Sequence, residues 1–307
     1  MIITLTPNPS LDRALVLIEL VRGRLNRASE AKVDPGGKGV NASVALAANW
    51  FATTAVLPAG GFDGEYLAQL LRDANVELAL VPIESGVRSN ITLVENGGVS
   101  TKVNAPGPSL TVTELGALHE TTVKLSEGAS WVVACGSLPR DADPSLYADL
   151  VEGVRCRIAV DTTGAALMRA VDAGVDLIKP NLTELAEATE TSPTTLGDVV
   201  EIAETLRTRG AGEVVVSLGR FGAVSIGEST VFGECVIDSV VSSVGAGDAL
   251  LAGYVAEAGD QMQRLKRGLA WAAASCETPN TEMPTPDRIA QQTVTVTQVF
   301  DPAMPVV

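Results

Sequence analysis

Short apolar runs with the character of buried strands alternate with helical segments along most of this chain. The strand-like runs are residues 2–6, 54–57, 131–135, 158–161, 177–179 and 214–217. The helical segments are residues 40–50, 64–74, 111–126, 144–152, 164–173, 182–189, 195–209, 246–258 and 262–277. This alternation predicts an α/β fold with three layers, in which helices cover both faces of a mostly parallel sheet. Because ligands of such folds bind at the carboxyl ends of the strands, we expect the functional loops to gather there.

Two segments, residues 12–34 and 87–105, interrupt this alternation. Both contain the apolar–polar alternation of strands with one exposed face, and residues 95–99 have the composition of a hairpin turn. We expect a small antiparallel sheet that forms a lid over the main sheet. Since no change in composition indicates a linker, the lid segments are predicted to be insertions in a single domain that spans residues 1–307.

The charge and hydropathy of the chain restrict its partners. Its formal net charge is −15, so we expect it to bind neither nucleic acid nor an anionic membrane surface. The sequence contains neither a membrane-spanning apolar run nor a signal peptide, which predicts a cytoplasmic protein. Apolar side chains in the lid segments, at Leu15, Leu17 and Ile91, predict that two lids pack together in a homodimer.

A glycine-rich turn near the C-terminal end of the chain has the composition of an anion site. Gly245, Ala246 and Gly247 precede a helical segment, and small residues leave the N–H groups of its first turn open to a phosphate. Asp248 follows directly, where a carboxylate can accept the proton of an attacking hydroxyl. The same stretch also fits an ordinary helix start in which the carboxylate is a cap.

A second glycine cluster supports the catalytic interpretation. Gly36, Gly37, Lys38 and Gly39 open another apolar helical segment. An enzyme that moves a phosphate between two molecules needs a site for each of them, so the two turns together indicate phosphoryl transfer. A single histidine, His119, argues against a Ser-His-Asp triad, and acid–base chemistry therefore falls to Asp, Glu or Lys.

Six motifs occur in the order in which one family carries them. They are residues 6–12, 36–41, 136–139, 179–184, 217–223 and 245–248. Together they resemble a PfkB-type sugar kinase of the ribokinase-like fold, and most of all the phosphofructokinase-like branch that includes 1-phosphofructokinase and tagatose-6-phosphate kinase. The resemblance implies a ribokinase-like three-layer α/β/α sandwich with a small β-sheet lid. It also implies ATP and Mg²⁺ as cofactors, with a monovalent cation, K⁺, as a further one.

The resemblance also implies the roles of individual residues. Asp248 is expected to be the general base, with Gly245, Ala246 and Gly247 as the anion hole. The sugar is expected to contact Asp12, Gly36, Gly37, Lys38, Asn41, Arg88, Asn90, Lys102 and Ser137. The nucleotide is expected to contact Lys179, Asn181, Ser217, Gly219, Gly222, Ser275 and Asn280. Glu184 is expected to reach Mg²⁺ through water.

Several of these residues also have ordinary structural interpretations. Asp12 fits a turn cap, Glu184 fits a helix-capping carboxylate, and Lys179 fits a solvated lysine after a strand. Residues 217–223 fit a simple turn between two strands. After Asn280 the chain lacks the glycine that relatives often carry, so the adenine-side loop and the K⁺ site depart from the family pattern there.

Positive charge near the lid bears on the substrate class. In so acidic a chain a phosphorylated sugar needs a local cation, whereas a simple sugar needs none. Arg88 and Asn90 resemble the arginine-x-asparagine of the phosphosugar branch, and a guanidinium offers paired donors to a phosphate. Lys38 and Lys102 are further candidates.

The leading prediction for the reaction is phosphorylation of fructose 1-phosphate to fructose 1,6-bisphosphate. A tagatose-6-phosphate or fructose-6-phosphate kinase is an alternative within the same branch. A ribokinase, fructokinase or nucleoside kinase that acts on an unphosphorylated substrate is a second alternative. A non-catalytic sugar or nucleotide sensor is a third, against which the intact Asp248 argues.

Overall fold

The structure, a computed structural model, describes residues 1–97, 99–237, 239–278 and 282–307. The strands are β1 (Ile2–Leu5), β2 (Ser10–Leu17), β3 (Glu30–Gly36), β4 (Thr53–Ala59), β5 (Glu77–Pro82), β6 (Arg88–Glu95), β7 (Ser100–Asn104), β8 (Trp131–Cys135), β9 (Arg157–Asp161), β10 (Leu177–Ile178), β11 (Glu213–Ser217), β12 (Ala223–Ile226), β13 (Thr230–Cys235) and β14 (Val294–Thr297). The helices are α1 (Lys38–Ala48), α2 (Gly61–Asp73), α3 (Val112–Ser126), α4 (Leu146–Gly153), α5 (Gly164–Asp172), α6 (Leu182–Thr189), α7 (Leu196–Arg209), α8 (Ala246–Ala256), α9 (Gln261–Cys276) and α10 (Pro286–Ala290).

The main sheet has the strand order β14-β13-β12-β11-β10-β9-β8-β1-β4-β5. Every neighbouring pair from β5 to β11 is parallel, whereas β12, β13 and β14 extend one edge in antiparallel fashion. The central strands are buried on both faces and consist largely of Val, Ile, Leu and Ala, as a covered parallel sheet requires. The predicted α/β fold with a mostly parallel sheet is therefore confirmed.

Successive residues of each strand point to opposite faces, so two apolar cores form on the two sides of the sheet. On one side Ile3 and Val132 pack with α3, α4, α5, α6 and α7. On the other side Ile2 and Trp131 pack with α1, α8 and α9. The result is the predicted three-layer arrangement. Among the described residues, none of the helices combines the length and the hydropathy that a membrane span requires.

A separate four-stranded sheet, the lid, has the order β3-β2-β6-β7. The hairpin pairs β2–β3 and β6–β7 are antiparallel, but β2 and β6 pair in parallel, from Ser10 opposite Arg88 to Leu17 opposite Glu95. The prediction of an antiparallel lid was thus wrong for its central pair. After β3 the chain enters the main body, where it forms α1 and β4 and then α2 and β5. It returns to the lid as β6, which runs in the same direction as β2.

The contact between α8 and α9 requires a bare backbone at Gly253. A Cβ atom there would lie 2.8 Å from Cγ of Trp271 and 3.1 Å from the carbonyl oxygen of Arg267. Because both helices belong to the layer that carries Asp248, this close contact contributes to the position of the predicted base.

We expect Gly253→Ala to destabilise the protein by about 1–3 kcal/mol, because the added methyl group has to displace a packed ring. The matched control is Gly116→Ala in α3, where nothing lies within 4 Å of the added Cβ. That change should stabilise the protein by about 0.5–1 kcal/mol, since alanine has the higher helix propensity. Urea unfolding of both variants checks the pair, and equal effects would contradict the packing argument.

Candidate active site

The N-terminus of α8 is open and carries no side-chain cap among the described residues. Its N-cap, Gly245, adopts the left-handed conformation with φ of 83°, and none of the described side chains caps the helix. By contrast, the side chains of Asn181 and Asp260 cap α6 and α9. The first N–H groups of α8 are therefore open to a ligand, and the helix dipole favours a negative one. Gly245, Ala246 and Gly247 all line the cavity described below.

Asp248 lies in the first turn of α8 and is only 8% exposed. Its Oδ2 accepts a hydrogen bond of 2.7 Å from Nδ2 of Asn41 on α1. Burial raises the pKa of Asp248 to about 6, and the charge of Asp161 adds to the shift. The Asn41 hydrogen bond and the cations of Lys38 and Lys179 limit the rise. Such a carboxylate is ionised at neutral pH and is more basic than an ordinary one, as a general base should be.

Two lysines share the buried carboxylate of Asp161, whose side chain is 1% exposed. Its Oδ1 lies 2.7 Å from Nζ of Lys38, and its Oδ2 lies 3.2 Å from Nζ of Lys179. Lys38 also contacts Oε1 of Glu184 at 3.0 Å. Burial disfavours the charged carboxylate, but the ammonium groups of Lys179 and Lys38 outweigh it and lower the pKa of Asp161. Burial likewise disfavours the ammonium of Lys38, but Asp161 and Glu184 raise the pKa of Lys38.

The carboxylate of Glu184 serves both the start of α6 and the cavity. Its Oε2 accepts a hydrogen bond of 2.9 Å from the backbone N–H of Asn181, whose Oδ1 accepts one of 2.8 Å from the N–H of Glu184. This pair is a capping box, so Glu184 is a helix-capping carboxylate, as its structural interpretation expected. The other carboxylate oxygen contacts Lys38, and the residue lines the cavity.

The donors around Glu184 suit a hydrated divalent cation. Carboxylate oxygens are the ligands that Mg²⁺ prefers, and this ion keeps much of its water shell. In the part of the chain that the structure describes, no three acidic, histidine or cysteine side chains cluster to hold a metal by themselves. Glu184 therefore fits an ion held mainly by nucleotide phosphates, which it reaches through water.

A cavity of about 800 Å³ extends from these charged groups over the end of the main sheet. The predicted nucleotide residues that line it are Lys179, Asn181, Ser217, Gly219 and Gly222. Its apolar wall is formed by Ile237, Val240, Leu269, Ala272, Ala273 and Cys276. A cavity with one charged end and one apolar wall suits a nucleotide, with its phosphates at the former and its base against the latter.

Ser275, one of the predicted nucleotide residues, is not part of the cavity lining. Ser275 is 1% exposed and faces the interior, and its Oγ has no hydrogen-bond partner among the described residues. Other residues of α9, including Cys276, line the cavity instead, because successive residues of a helix point in different directions. Asn280 lies outside the described residues.

A second polar group lies on the lid. Oδ1 of Asp12 accepts hydrogen bonds of 2.8 Å from Oγ of Ser10 and 2.9 Å from Nδ2 of Asn90. A Cβ atom on Gly36 would lie 2.5 Å from the carboxyl carbon of Asp12, so only glycine leaves room for this arrangement. Gly37 follows with φ of 123° and starts α1 without a side-chain cap. Asp12, Asn90 and Gly36, three of the residues that the sequence analysis assigned to the sugar, therefore lie together.

Helix α1 connects the lid with the catalytic group. Its first residue, Lys38, contacts Asp161 and Glu184. Asn41, one turn later on the same face, binds Asp248. The ammonium of Lys38 therefore lies at the cavity described above, whereas the sequence analysis grouped this residue with the sugar contacts.

Arg88 lies beside the Asp12 group. Its Nη1 donates a hydrogen bond of 3.0 Å to the carbonyl of Ala105. Its Nε and Oδ1 of Asn90 are buried and have no hydrogen-bond partner among the described residues. Burial lowers the pKa of Arg88 and the charge of Asp12 opposes this shift, but a guanidinium stays charged at neutral pH. One unpartnered donor and one unpartnered acceptor on the same sheet indicate a polar ligand.

The two remaining predicted sugar residues are exposed. Lys102 on β7 lies opposite Thr92 on β6. It therefore shares the lid face that carries Asn90. Ser137 follows β8 and accepts a hydrogen bond of 3.3 Å from Nδ2 of Asn8. Among the described residues, Lys102 forms no ion pair.

Asp161 is the site residue that the sequence analysis missed. It belongs to none of the six motifs, although residues 158–161 were predicted as a strand. The available signal was its position, since a carboxylate at the carboxyl end of a buried parallel strand points to the ligand-binding edge of such a sheet.

Comparison with known proteins identifies the family. Residues 6–288 match the model of the pfkB family of carbohydrate kinases. The chain is 34% identical over 266 residues to a 1-phosphofructokinase of Bacillus subtilis, covering 85% of this chain and 87% of the relative. It is 35% identical over 260 residues to the ATP-dependent 6-phosphofructokinase isozyme 2 of Escherichia coli, covering 81% of this chain and 83% of the relative.

A solved structure shows the same architecture. The phosphofructokinase-2 of Escherichia coli in complex with potassium superimposes with a TM-score of 0.89 at 31% sequence identity, covering 94% of this chain and 97% of that one. The fold and the site thus define an ATP-dependent sugar kinase. The chain belongs to the pfkB family of carbohydrate kinases and is of the phosphofructokinase type.

We expect Asp248→Asn to lower kcat by about 10²–10⁴-fold, because the amide cannot accept the proton of the acceptor alcohol. Calorimetric nucleotide binding should remain, since the charge removed is not a phosphate ligand. The matched control is Asp149→Asn, which removes an exposed carboxylate from the first turn of α4 and should leave kcat unchanged. Undiminished turnover in Asp248→Asn would contradict the assigned base.

The pH dependence of kcat/KM should show the ionisation of Asp248. The base has to be deprotonated, so the rate is expected to be level well above the pKa of about 6 and to fall on acidification through it. The second ionisation of a phosphate monoester also lies near pH 6, so a control is needed. Asn41→Ala removes a hydrogen bond that lowers the pKa of Asp248, and should move the acid limb to higher pH. If the acid limb of the profile stays in place in Asn41→Ala, the ionisation belongs to the substrate and not to Asp248.

Proposed function

We propose that this protein transfers the γ-phosphoryl group of ATP to a phosphorylated ketohexose, with fructose 1-phosphate as substrate and fructose 1,6-bisphosphate as product. One observation carries the proposal. The buried carboxylate of Asp248 lies at the uncapped start of α8, where the nucleotide cavity ends, and Asn41 links it to the helix that begins at the lid.

In this proposal the nucleotide lies in the cavity, with its phosphates toward the start of α8. Asp248 accepts the proton of the sugar hydroxyl as the phosphoryl group arrives. The N–H groups of Gly245, Ala246 and Gly247 stabilise the charge on its oxygens. Lys179 supports them, since its Nζ lies 3.3 Å from the point where a Cβ on Gly247 would be. Bound Mg²⁺ would neutralise phosphate charge, with Glu184 as its indirect protein ligand.

The lid supplies the sugar contacts in this proposal. Asp12 and Asn90 offer a carboxylate and an amide to vicinal hydroxyls, which both donate and accept hydrogen bonds. The guanidinium of Arg88, with a buried and unpartnered Nε, is the cation proposed for the substrate's own phosphate. Exposed Lys102 on the same lid face adds positive charge.

Fructose 6-phosphate is the second candidate substrate, and the relative named 6-phosphofructokinase isozyme 2 favours it. Tagatose 6-phosphate remains a third within the same branch. Initial rates across these three sugars and across unphosphorylated fructose and ribose test the substrate class. A kcat/KM that is orders of magnitude higher for an unphosphorylated sugar would contradict the proposal. K⁺ as a cofactor is proposed from the resemblance, and replacing it with Na⁺ in the same assay tests it.

We expect Arg88→Ala to raise KM for the phosphosugar about 10–100-fold, because a charged hydrogen-bond donor to the phosphate is lost. The KM of unphosphorylated fructose should stay within about twofold, since that substrate has no phosphate to bind. The matched control is Arg13→Ala on the neighbouring lid strand, whose guanidinium pairs with Asp63 at 3.1 Å. Its KM should be close to that of the wild type. An equal rise for both sugars in Arg88→Ala would oppose the assigned role.

We also propose that the lid forms a homodimer contact. The strand register places Arg13, Ile91 and Val103 opposite one another on one lid face, with Leu15 on the same side of β2. Ile91 and Val103 are 36% and 57% exposed. Leu17, which the sequence analysis included, is already buried within one chain at 4% exposure.

The dimer proposal predicts twice the chain mass of 31.7 kDa in light scattering after gel filtration. Val103→Asp should shift this to the monomer mass, because a charge is introduced into the contact. A monomeric wild type, or a dimer unaffected by the substitution, would refute the contact.

A further inference from the structure

Lys38 covers the carboxylate oxygen that a divalent cation would approach. Oε2 of Glu184 is used by the N–H of Asn181. Oε1 accepts a hydrogen bond of 3.0 Å from Nζ of Lys38, which also binds Oδ1 of Asp161 at 2.7 Å. Among the described residues, no other group forms a hydrogen bond or an ion pair with Oε1. One ammonium therefore bridges two carboxylates at the charged end of the cavity.

The two lysines of this network differ in their freedom to move. The side chain of Lys179 is 4% exposed, whereas that of Lys38 is 32% exposed. Lys179 pairs with Oδ2 of Asp161 and does not touch Glu184. Lys38 is the first residue of α1, so its side chain extends from a helix end without neighbours in a preceding turn. Lys38 can thus leave Glu184, while Lys179 keeps Asp161 paired.

We infer that Lys38 is an internal counter-cation, which occupies Glu184 in the nucleotide-free enzyme and has to be displaced when a divalent cation approaches that carboxylate. This inference rests on the proposed function, since it takes Glu184 as the metal-facing residue. Two positive charges that compete for one carboxylate at a partly buried site repel each other strongly, also when water lies between the metal ion and the carboxylate. The displaced ammonium remains at the cavity, where it is available to the phosphoryl oxygens. Binding of the metal ion and release of the Lys38 ammonium from Glu184 are thereby coupled.

The test is Mn²⁺ binding to the nucleotide-free enzyme, measured by the electron paramagnetic resonance signal of free Mn²⁺. Lys38→Met should bind Mn²⁺ about tenfold or more tightly than the wild type, because the competing charge is gone and two carboxylates are uncovered. Lys38→Arg keeps the charge and should stay within about threefold of the wild type. The gain should disappear in Lys38→Met combined with Glu184→Gln.

Lys32 offers a matched control for loss of a bridging lysine. Its Nζ lies 3.3 Å from Asp34 and 3.0 Å from Glu282, so Lys32→Met also removes one charge and uncovers two carboxylates, but away from the cavity. Its Mn²⁺ affinity should stay within about threefold of the wild type, since exposed carboxylates in water bind metal weakly. Circular dichroism melts establish that each variant is folded, and Lys38→Gln replaces Lys38→Met if the latter is not.

An unchanged or weaker affinity in Lys38→Met, an equal gain in Lys32→Met, or a gain that persists without Glu184 would overturn the inference. Kinase assays of the wild type separate this outcome from failure of the proposed function. If the wild type phosphorylates no phosphosugar, the substrate proposal fails. The Mn²⁺ titrations contain neither sugar nor nucleotide, so they decide the role of Lys38 independently.

Discussion

The pairing of one buried carboxylate, Asp161, with two lysine ammonium groups is the interaction on which the rest of the site depends. Asp161 comes from β9, Lys179 follows β10, and Lys38 begins α1, so the ion pairs join three separate segments at one edge of the sheet. A carboxylate that is 1% exposed is costly without such partners. The same charges act on Asp248. The charge of Asp161 raises the pKa of Asp248, and the two lysines lower it.

Helix α1 connects these ion pairs with the lid. Gly36 and Gly37 end the lid strand and start the helix, and the absence of side chains there leaves space for Asp12 on one side and for open N–H groups on the other. Asn41 then holds Asp248 at the start of α8. Two helix starts without side-chain caps thus lie near the carboxylate of Asp248, as the proposed transfer between two bound molecules would need.

Much of the fold was predictable because hydrophobic periodicity is a local property, and the strands and helices around the site lie within a few residues of their expected bounds. The pairing of β2 with β6 was not predictable in this way, since it depends on how the intervening βα units return the chain to the lid. Strand β5 was missed because its apolar run is bounded by Glu77 and Pro82, and helix α10 was missed because it has only five residues. Asp248 was found through its glycines, whereas Asp161 has no such neighbours. A motif match does not determine which side of a helix faces a cavity, since Ser275 is buried whereas its neighbour Cys276 lines the cavity.

The central claim is that phosphoryl transfer takes place at the start of α8, with Asp248 as the base. A crystal structure with a non-hydrolysable ATP analogue, Mg²⁺ and fructose 1-phosphate tests it most directly. The account predicts γ-phosphoryl oxygens about 3 Å from the backbone nitrogens of residues 245–247, and the acceptor hydroxyl within about 3 Å of the Asp248 carboxylate. A γ-phosphate bound elsewhere in the cavity, with Asp248 out of reach of any sugar hydroxyl, would contradict it.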